Sequence, residues 1–233
     1  MVLSLRNVGV RYGRRRHLFS QHQSEFWALR DVTLDLFSGE TLGVIGRNGA
    51  GKTTLLKVLA GILRPDTGSY VNNGYRATLL SLQVGFVGYL SGRENAILSG
   101  LLLGMHRREI ERKMDAIISF SGLEDFIDEP IQTYSSGMKA RLGFSTAFQV
   151  DPDILLVDEV MGVGDAEFTE KSKAVMREKI RSDKTVVLVS HNTDVIRSLA
   201  DRMVWIEKGG TVAQGGPDEV LEAYAQSQRR KSH

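Results

Sequence analysis

The sequence contains no cysteine, which excludes disulfides and thiolate metal sites and is compatible with a reducing compartment. Long apolar runs are also missing. The uncharged apolar stretches Asn95 to Met105 and Leu142 to Val150 fall well short of the ~20 residues a bilayer span needs. Neither sign of charge dominates: 30 basic residues stand against 28 acidic, a net charge of +2, which argues against a dedicated nucleic-acid binder. The basic clusters Arg11 to His17 and Gln228 to His233 are short enough to read as solvated surface, the alternative being contact with anionic headgroups. Met1 to Gly9 alternates apolar and polar residues without a charged segment leading into an apolar block, so no export signal is expected and a first strand is. Internal repeats, low-complexity segments and an Asn-Lys-x-Asp guanine motif are all absent. With 233 residues and 42% hydrophobic content, the chain can bury one large core with at most a smaller lobe.

What is present centres on Gly46 to Thr53, Gly-Arg-Asn-Gly-Ala-Gly-Lys-Thr. This is a complete G-x-x-x-x-G-K-[ST] phosphate loop between an apolar strand, Thr41 to Ile45, and a helix, Lys52 to Ala60. Gly46, Asn48, Gly49, Ala50 and Gly51 offer backbone N–H groups to an anion, and the helix adds the positive end of its dipole. Lys52 is placed to neutralise β and γ phosphates, Thr53 to set its hydroxyl on Mg²⁺, and Thr54 to continue the phosphate-binding turn. A nucleoside triphosphate is the ligand class this loop implies.

Val2 to Val10 and Ala28 to Leu36 alternate with period two around a polar insertion and predict an antiparallel hairpin with a long connection. Pro65 to Gly68 reads as a turn before a strand over Tyr70 to Leu82, interrupted at Asn72-Asn73-Gly74. Ser91 with Glu94 predicts a capping box opening a helix through Met105, and Arg107 to Ser119 a second helix with Ile110, Met114, Ile117 and Ile118 on one face. From Lys139 the pattern alternates: helix to Val150, strand Ile154 to Val157, helix Glu167 to Arg181, strand Thr185 to Ser190, helix Asn192 to Ala200. Such βαβ order implies a parallel sheet whose strand ends converge on the ligand. A hairpin over Arg202 to Gln214 and a helix over Asp218 to Gln226 complete the chain.

The strand Ile154 to Val157 ends in Asp158-Glu159, delivering two carboxylates to the sheet edge where phosphates lie. Asp158 suits Mg²⁺, and Glu159 suits a water attacking the γ-phosphate. His191, after the next strand, is placed to bond that phosphate. Tyr12 either stacks on adenine or is a surface aromatic. Tyr134-Ser135-Ser136-Gly137-Met138 precedes a helix and forms a second anion site, which one nucleotide in one copy does not need.

In this order, the phosphate loop, Tyr134 to Met138, Asp158-Glu159, Gly162-Val163-Gly164-Asp165 and His191 resemble the ATP-binding cassette ATPases over nearly the whole chain. The resemblance implies an α/β P-loop fold: a mixed-sheet core with an antiparallel β subdomain and a helical lobe. It implies one domain over 1–233, with the core in 1–88 and 136–233 and the lobe at about 89–135. It further implies ATP and Mg²⁺, and a homodimer in which the phosphate loop of one copy and Ser135, Ser136 and Gly137 of the other sandwich each ATP, with Asp165 in the D-loop. Catalysis then falls to Glu159 and His191, and metal binding to Thr53, Asp158 and a glutamine before the lobe. Gln83 is the nearby glutamine, while counting back from Ser91 points nearer Ser81. The signature departs from the usual Leu-Ser-Gly-Gly-Gln but keeps Ser135 and Gly137.

Gly92-Arg93-Glu94-Asn95, Tyr134 to Met138, Val157 to Val160 and Val163 to Phe168 resemble one branch, the ATPase subunits of O-antigen, capsule and teichoic-acid exporters. That implies a peripheral protein on the cytoplasmic face of the inner membrane, docked through the helix from Asn95 on separate integral membrane permease subunits. Its cargo is then a lipid-linked glycan, and nucleic acid is no partner. Another cargo, such as a lipid or drug, and a soluble cassette ATPase are the alternatives. Some members of the branch carry a C-terminal carbohydrate-binding domain; with the last helix so near the end of this sequence, glycan selectivity is expected to reside elsewhere.

Overall fold

The computed structural model describes residues 1–13, 25–158 and 163–230, residue 230 by its backbone alone. They fall into two compact units, one drawn from 1–77, 153–158 and 183–230 and the other from 78–152 and 163–182.

In the first unit, β1 (Leu3–Gly13) and β2 (Glu25–Leu36) pair antiparallel from Leu3↔Leu36 to Gly13↔Glu25, as their alternation predicts. Their connection, including Arg14 to His17 of the basic cluster, lies outside the described residues. Next come β3 (Thr41–Ile45), α1 (Lys52–Leu59) and β4 (Thr67–Asn72). The turn read over Pro65 to Gly68 is shorter than expected. Thr67 already pairs with Gly9 of β1, because Asp66 anchors the strand entry: its N–H donates to Gly9 O at 2.8 Å and its carboxylate accepts from Arg11 N at 2.9 Å. The expected break after β4 is real, since the Asn72 amide both accepts from Tyr75 N and donates to Tyr75 O, closing a side-chain turn that β5 (Ala77–Leu80) follows.

Farther along, β6 (Ile154–Asp158), β7 (Thr185–Val189), β8 (Arg202–Glu207) and β9 (Gly210–Gly215) join the sheet. The strands run β4-β1-β2-β9-β8-β3-β7-β6 across this unit, with β8, β3, β7 and β6 mutually parallel. Every residue of β3 and β7 is buried, the unbroken apolar run expected of a strand covered on both faces. Parallel strands point the same way, so the ends of β3, β6 and β7 carry the phosphate loop, Asp158 and His191 to one edge.

The second unit contains α2 (Gly92–Leu102), α3 (Arg107–Ser121), α4 (Ser136–Phe148) and α5 (Ala166–Ile180). It reaches beyond the lobe expected over 89–135. Phe120 of α3, Phe144 and Phe148 of α4 and Phe168 of α5 form one aromatic cluster with ring centroids 5.5–6.0 Å apart, and this burial binds α4 and α5 to the lobe helices. Ile110, Met114 and Ile117 are buried as predicted for α3, while Ile118 is half-buried.

Each residue of Gly92-Arg93-Glu94-Asn95 has a structural task. A Cβ at Gly92 would lie 2.2 Å from the Tyr134 hydroxyl, which donates to Phe126 O, so the glycine makes room for the tyrosine of the unusual signature. Arg93 forms a two-pronged pair with Asp128 at 2.7 and 3.0 Å, holding that carboxyl below its usual pKa. Glu94 completes the capping box: the Ser91 N–H, its strongest partner, holds the carboxyl below the usual range. The box therefore stands at neutral pH and is lost as pH falls through that lowered value.

Asn95 is fully buried. Its Oδ1 accepts from Val87 N at 2.7 Å, and its Nδ2 donates to the carbonyls of Val87, Leu90 and Ser91 at 2.8–3.1 Å, tying the loop after Gln83 to α2. Asn95→Ala leaves these groups unmet and is expected to lower stability by about 1–3 kcal/mol, read as an earlier midpoint in urea unfolding.

Candidate active site

From Ile45 the chain enters the phosphate loop at Gly46, with φ 156°; a Cβ there would lie 2.1 Å from the Ile206 carbonyl of β8. Gly51, with φ 107°, starts α1, and a Cβ there would lie 2.4 Å from the carbonyl of Ala28. Glycine at both ends is what lets the loop seat against β8 and β2. No side chain caps α1 and none in its first turn is acidic, so its leading N–H groups are open to an anion.

Lys52 is 7% exposed and donates to the carbonyls of Gly46 at 2.7 Å and Arg47 at 3.0 Å. Its stem is thereby fixed along the inside of the loop, with the ammonium among the groups lining the cavity. Thr53 Oγ1 donates to Asp158 Oδ2 at 2.8 Å, joining the start of α1 to the end of β6. His191 follows β7, where Asn192 caps α6 (Thr193–Leu199) by accepting from the N–H groups of Asp194 and Val195, both at 3.0 Å. That cap turns the chain sharply after the strand and leaves His191 exposed at the sheet edge.

These groups surround a cavity of about 500 Å³. Asn48, Gly49, Gly51, Lys52, Thr53 and Thr54 line it from the loop and helix, Asp158 and His191 from the strand ends, and Ala28 from β2. Gly46 forms the base of the loop. Ala50 faces a neighbouring cavity, and its carbonyl accepts from Gly209 N at 3.0 Å. Tyr12 is not part of the lining; it is the next-to-last residue of β1, opposite Phe26, the two being 40% and 51% exposed. Glu159 and Gly162 lie outside the described residues.

In the second unit, Ser135 caps α4 by accepting from Met138 N at 3.1 Å, which leaves its hydroxyl proton for another acceptor. Ser136 and Gly137 form the first turn of that helix. Asp165 caps α5, accepting from Phe168 N at 2.9 Å. Ser81 and Gln83 are both exposed on the loop before α2, and Gln83 is the one in the left-handed region, its N–H backed against Gly143.

Sequence reading missed two contributors. Ala28 had only its place in a strand to signal it. The β8–β9 hairpin, read as a hairpin alone, backs the loop through Ile206 of β8 and Gly209 of the turn. Among the described residues no group of three or more His, Asp or Glu is placed to hold a metal. Thr53 and Asp158 instead offer two hard oxygens beside a phosphate-binding loop, the incomplete set that Mg²⁺ accepts when phosphates and water supply the rest.

A family described as ABC transporter matches residues 29–162, more than half of the chain. The chain belongs to the ABC transporter family. It is 46% identical over 208 residues to the O-antigen export system ATP-binding protein RfbB of Myxococcus xanthus, covering 89% of this chain and 48% of that one. It is 44% identical to RfbB of Klebsiella pneumoniae, covering 87% and 82%, and 44% identical to the teichoic acids export ATP-binding protein TagH of Lactococcus lactis, covering 88% and 44%. It thus spans about half the length of the Myxococcus and Lactococcus relatives. Among solved structures, a dimeric ATP-binding cassette bound to ADP and phosphate superposes with a TM-score of 0.71 at 21% identity, covering 92% of this chain and 98% of that one. The ATP-binding subunit of another ABC transporter gives 0.71, covering 97% and 94%. The fold is therefore that of the P-loop ABC ATPases, and the chain carries the family's ATP-binding and ATP-hydrolysing cassette.

Proposed function

We propose that this cassette powers export of a lipid-linked polysaccharide, of the O-antigen, capsule or teichoic-acid kind. It works as a homodimer docked on separate integral membrane permease subunits at the cytoplasmic face of the inner membrane. The observation that carries the cargo class is the 42–46% identity to relatives named for O-antigen and teichoic-acid export. No helix among the described residues is long and apolar enough to cross a membrane. The exposed apolar side chains of Tyr89, Leu101, Leu102 and Phe126 in the second unit supply the docking surface; Leu103, beside them in sequence, is buried.

In this reading the loop N–H groups and Lys52 bind the β and γ phosphates, with Thr54 in the same helical turn. Thr53 and Asp158, together with Gln83, hold Mg²⁺, which when bound offsets charge on the phosphates. Glu159 takes the proton of the attacking water, and His191 bonds the γ-phosphate. Tyr12 stacks on adenine. The free hydroxyl proton of Ser135, with Ser136 and Gly137 at the start of α4, meets the γ-phosphate bound in the other copy, and Asp165 stands at that junction. Cleavage removes the group both copies share, so the dimer loosens and the permease feels the change.

Depleting the protein in cells is expected to remove glycan from the surface while its lipid-linked form accumulates on the cytoplasmic leaflet. Unchanged surface glycan would contradict the assigned cargo.

A further inference from the structure

A second cavity, of about 540 Å³, shares Asn48, Gly49 and His191 with the nucleotide cavity. The roles assigned above leave it unused. Beyond the shared residues and Ala50, its walls are Arg47, Glu207 at the end of β8, Lys208 of the turn after it, and Tyr224 and Gln228 of α7 (Pro217–Arg230). Hydrogen-bond donors predominate: a guanidinium, an ammonium, an amide and a phenol against one carboxylate.

This wall is tied to the phosphate loop. Lys208 sits at φ 49° in the β8–β9 turn, and its neighbour Gly209 donates to Ala50 O at 3.0 Å and accepts from Arg30 N at 2.9 Å. On the other side the Tyr224 ring meets Trp205 edge-on at 5.4 Å. Trp205 is 6% exposed, and its indole N–H has no acceptor among the described residues. A cationic, donor-rich space thus adjoins the position where the γ-phosphate is bound, with His191 common to both.

ATP hydrolysis creates a small anion at that junction. The water oxygen bonds to the γ-phosphorus, the bond to the bridging β oxygen breaks, and orthophosphate separates from ADP as the water's proton passes to a base. We propose that the second cavity is a subsite for this orthophosphate on its way out, with Arg47 and Lys208 drawing it from the nucleotide cavity past His191 and the loop crest. The proposal rests on ATP hydrolysis by the cassette.

The test is ATPase activity of the wild type and of Lys208→Asn under added inorganic phosphate; asparagine tolerates the left-handed backbone of the turn. Phosphate is expected to inhibit the wild type without competing with ATP. In the variant the inhibition constant rises about fivefold, the loss of one exposed ion pair, while KM for ATP stays within about twofold. Purely competitive inhibition, an unchanged constant in the variant, or a KM that moves in parallel with it overturns the subsite. So does an active wild type that phosphate does not inhibit. An inactive wild type would instead indict the ATPase reading, and calorimetric titration of phosphate into ADP-loaded wild type and variant then decides the subsite.

Discussion

Lys52→Ala is expected to reduce ATP hydrolysis by about 10²–10³-fold, the cost of removing a charge-assisted donor from a site that binds developing phosphate charge. The side chain is almost wholly buried and already donates to Gly46 O and Arg47 O, so its ammonium is positioned before any nucleotide arrives. Losing it removes both the phosphate contact and the strut that shapes the loop. ATP affinity, read by nucleotide titration, should fall together with the rate read by phosphate release. Stability should fall less, because Thr53 and Asp158 still join α1 to β6 and Gly209 still holds Ala50. Activity within about tenfold of wild type would show that another cation carries the phosphate charge.

Glu159→Gln is expected to have an effect of similar size on turnover, about 10²–10⁴-fold, the contribution of a general base, yet the opposite effect on assembly. Glutamine matches the shape of glutamate but cannot take a proton from water. ATP should therefore bind and persist, and the copies should remain joined across it. Scattering or size-exclusion chromatography with ATP and Mg²⁺ should show the variant as a dimer where the wild type returns to monomer. Introducing Ser135→Ala into Glu159→Gln should weaken that dimer, because the hydroxyl proton left over from capping α4 is then gone. A monomeric variant under saturating ATP would sink the shared-nucleotide arrangement.

The contrast between these substitutions shows how unevenly the site could be read from its residues. The phosphate loop was legible because its glycine spacing and flanking patterns are local: a short apolar strand, a turn, a helix of period 3.6. Asp158 and His191 were legible by topology, since parallel strands must deliver their ends to one edge. The position of Tyr12 was not, because where a strand-end aromatic comes to lie depends on a partner strand; the register places it opposite Phe26. The extent of the second unit was also hidden, since nothing in α4 or α5 alone announces that Phe144, Phe148 and Phe168 close on Phe120.

By itself, then, the sequence determined the ligand class, the family and the order of elements, because each rests on short motifs and periods that are local, taken in their order along the chain. Tertiary structure decided what supports the loop and what surrounds it. The Ile206 carbonyl that forbids a side chain at Gly46, the Gly209 N–H that holds Ala50, and the wall formed by Lys208 and Tyr224 all come from residues more than 150 positions downstream. Contacts of that separation form only when the chain closes its sheet, and no local pattern of residue types encodes them.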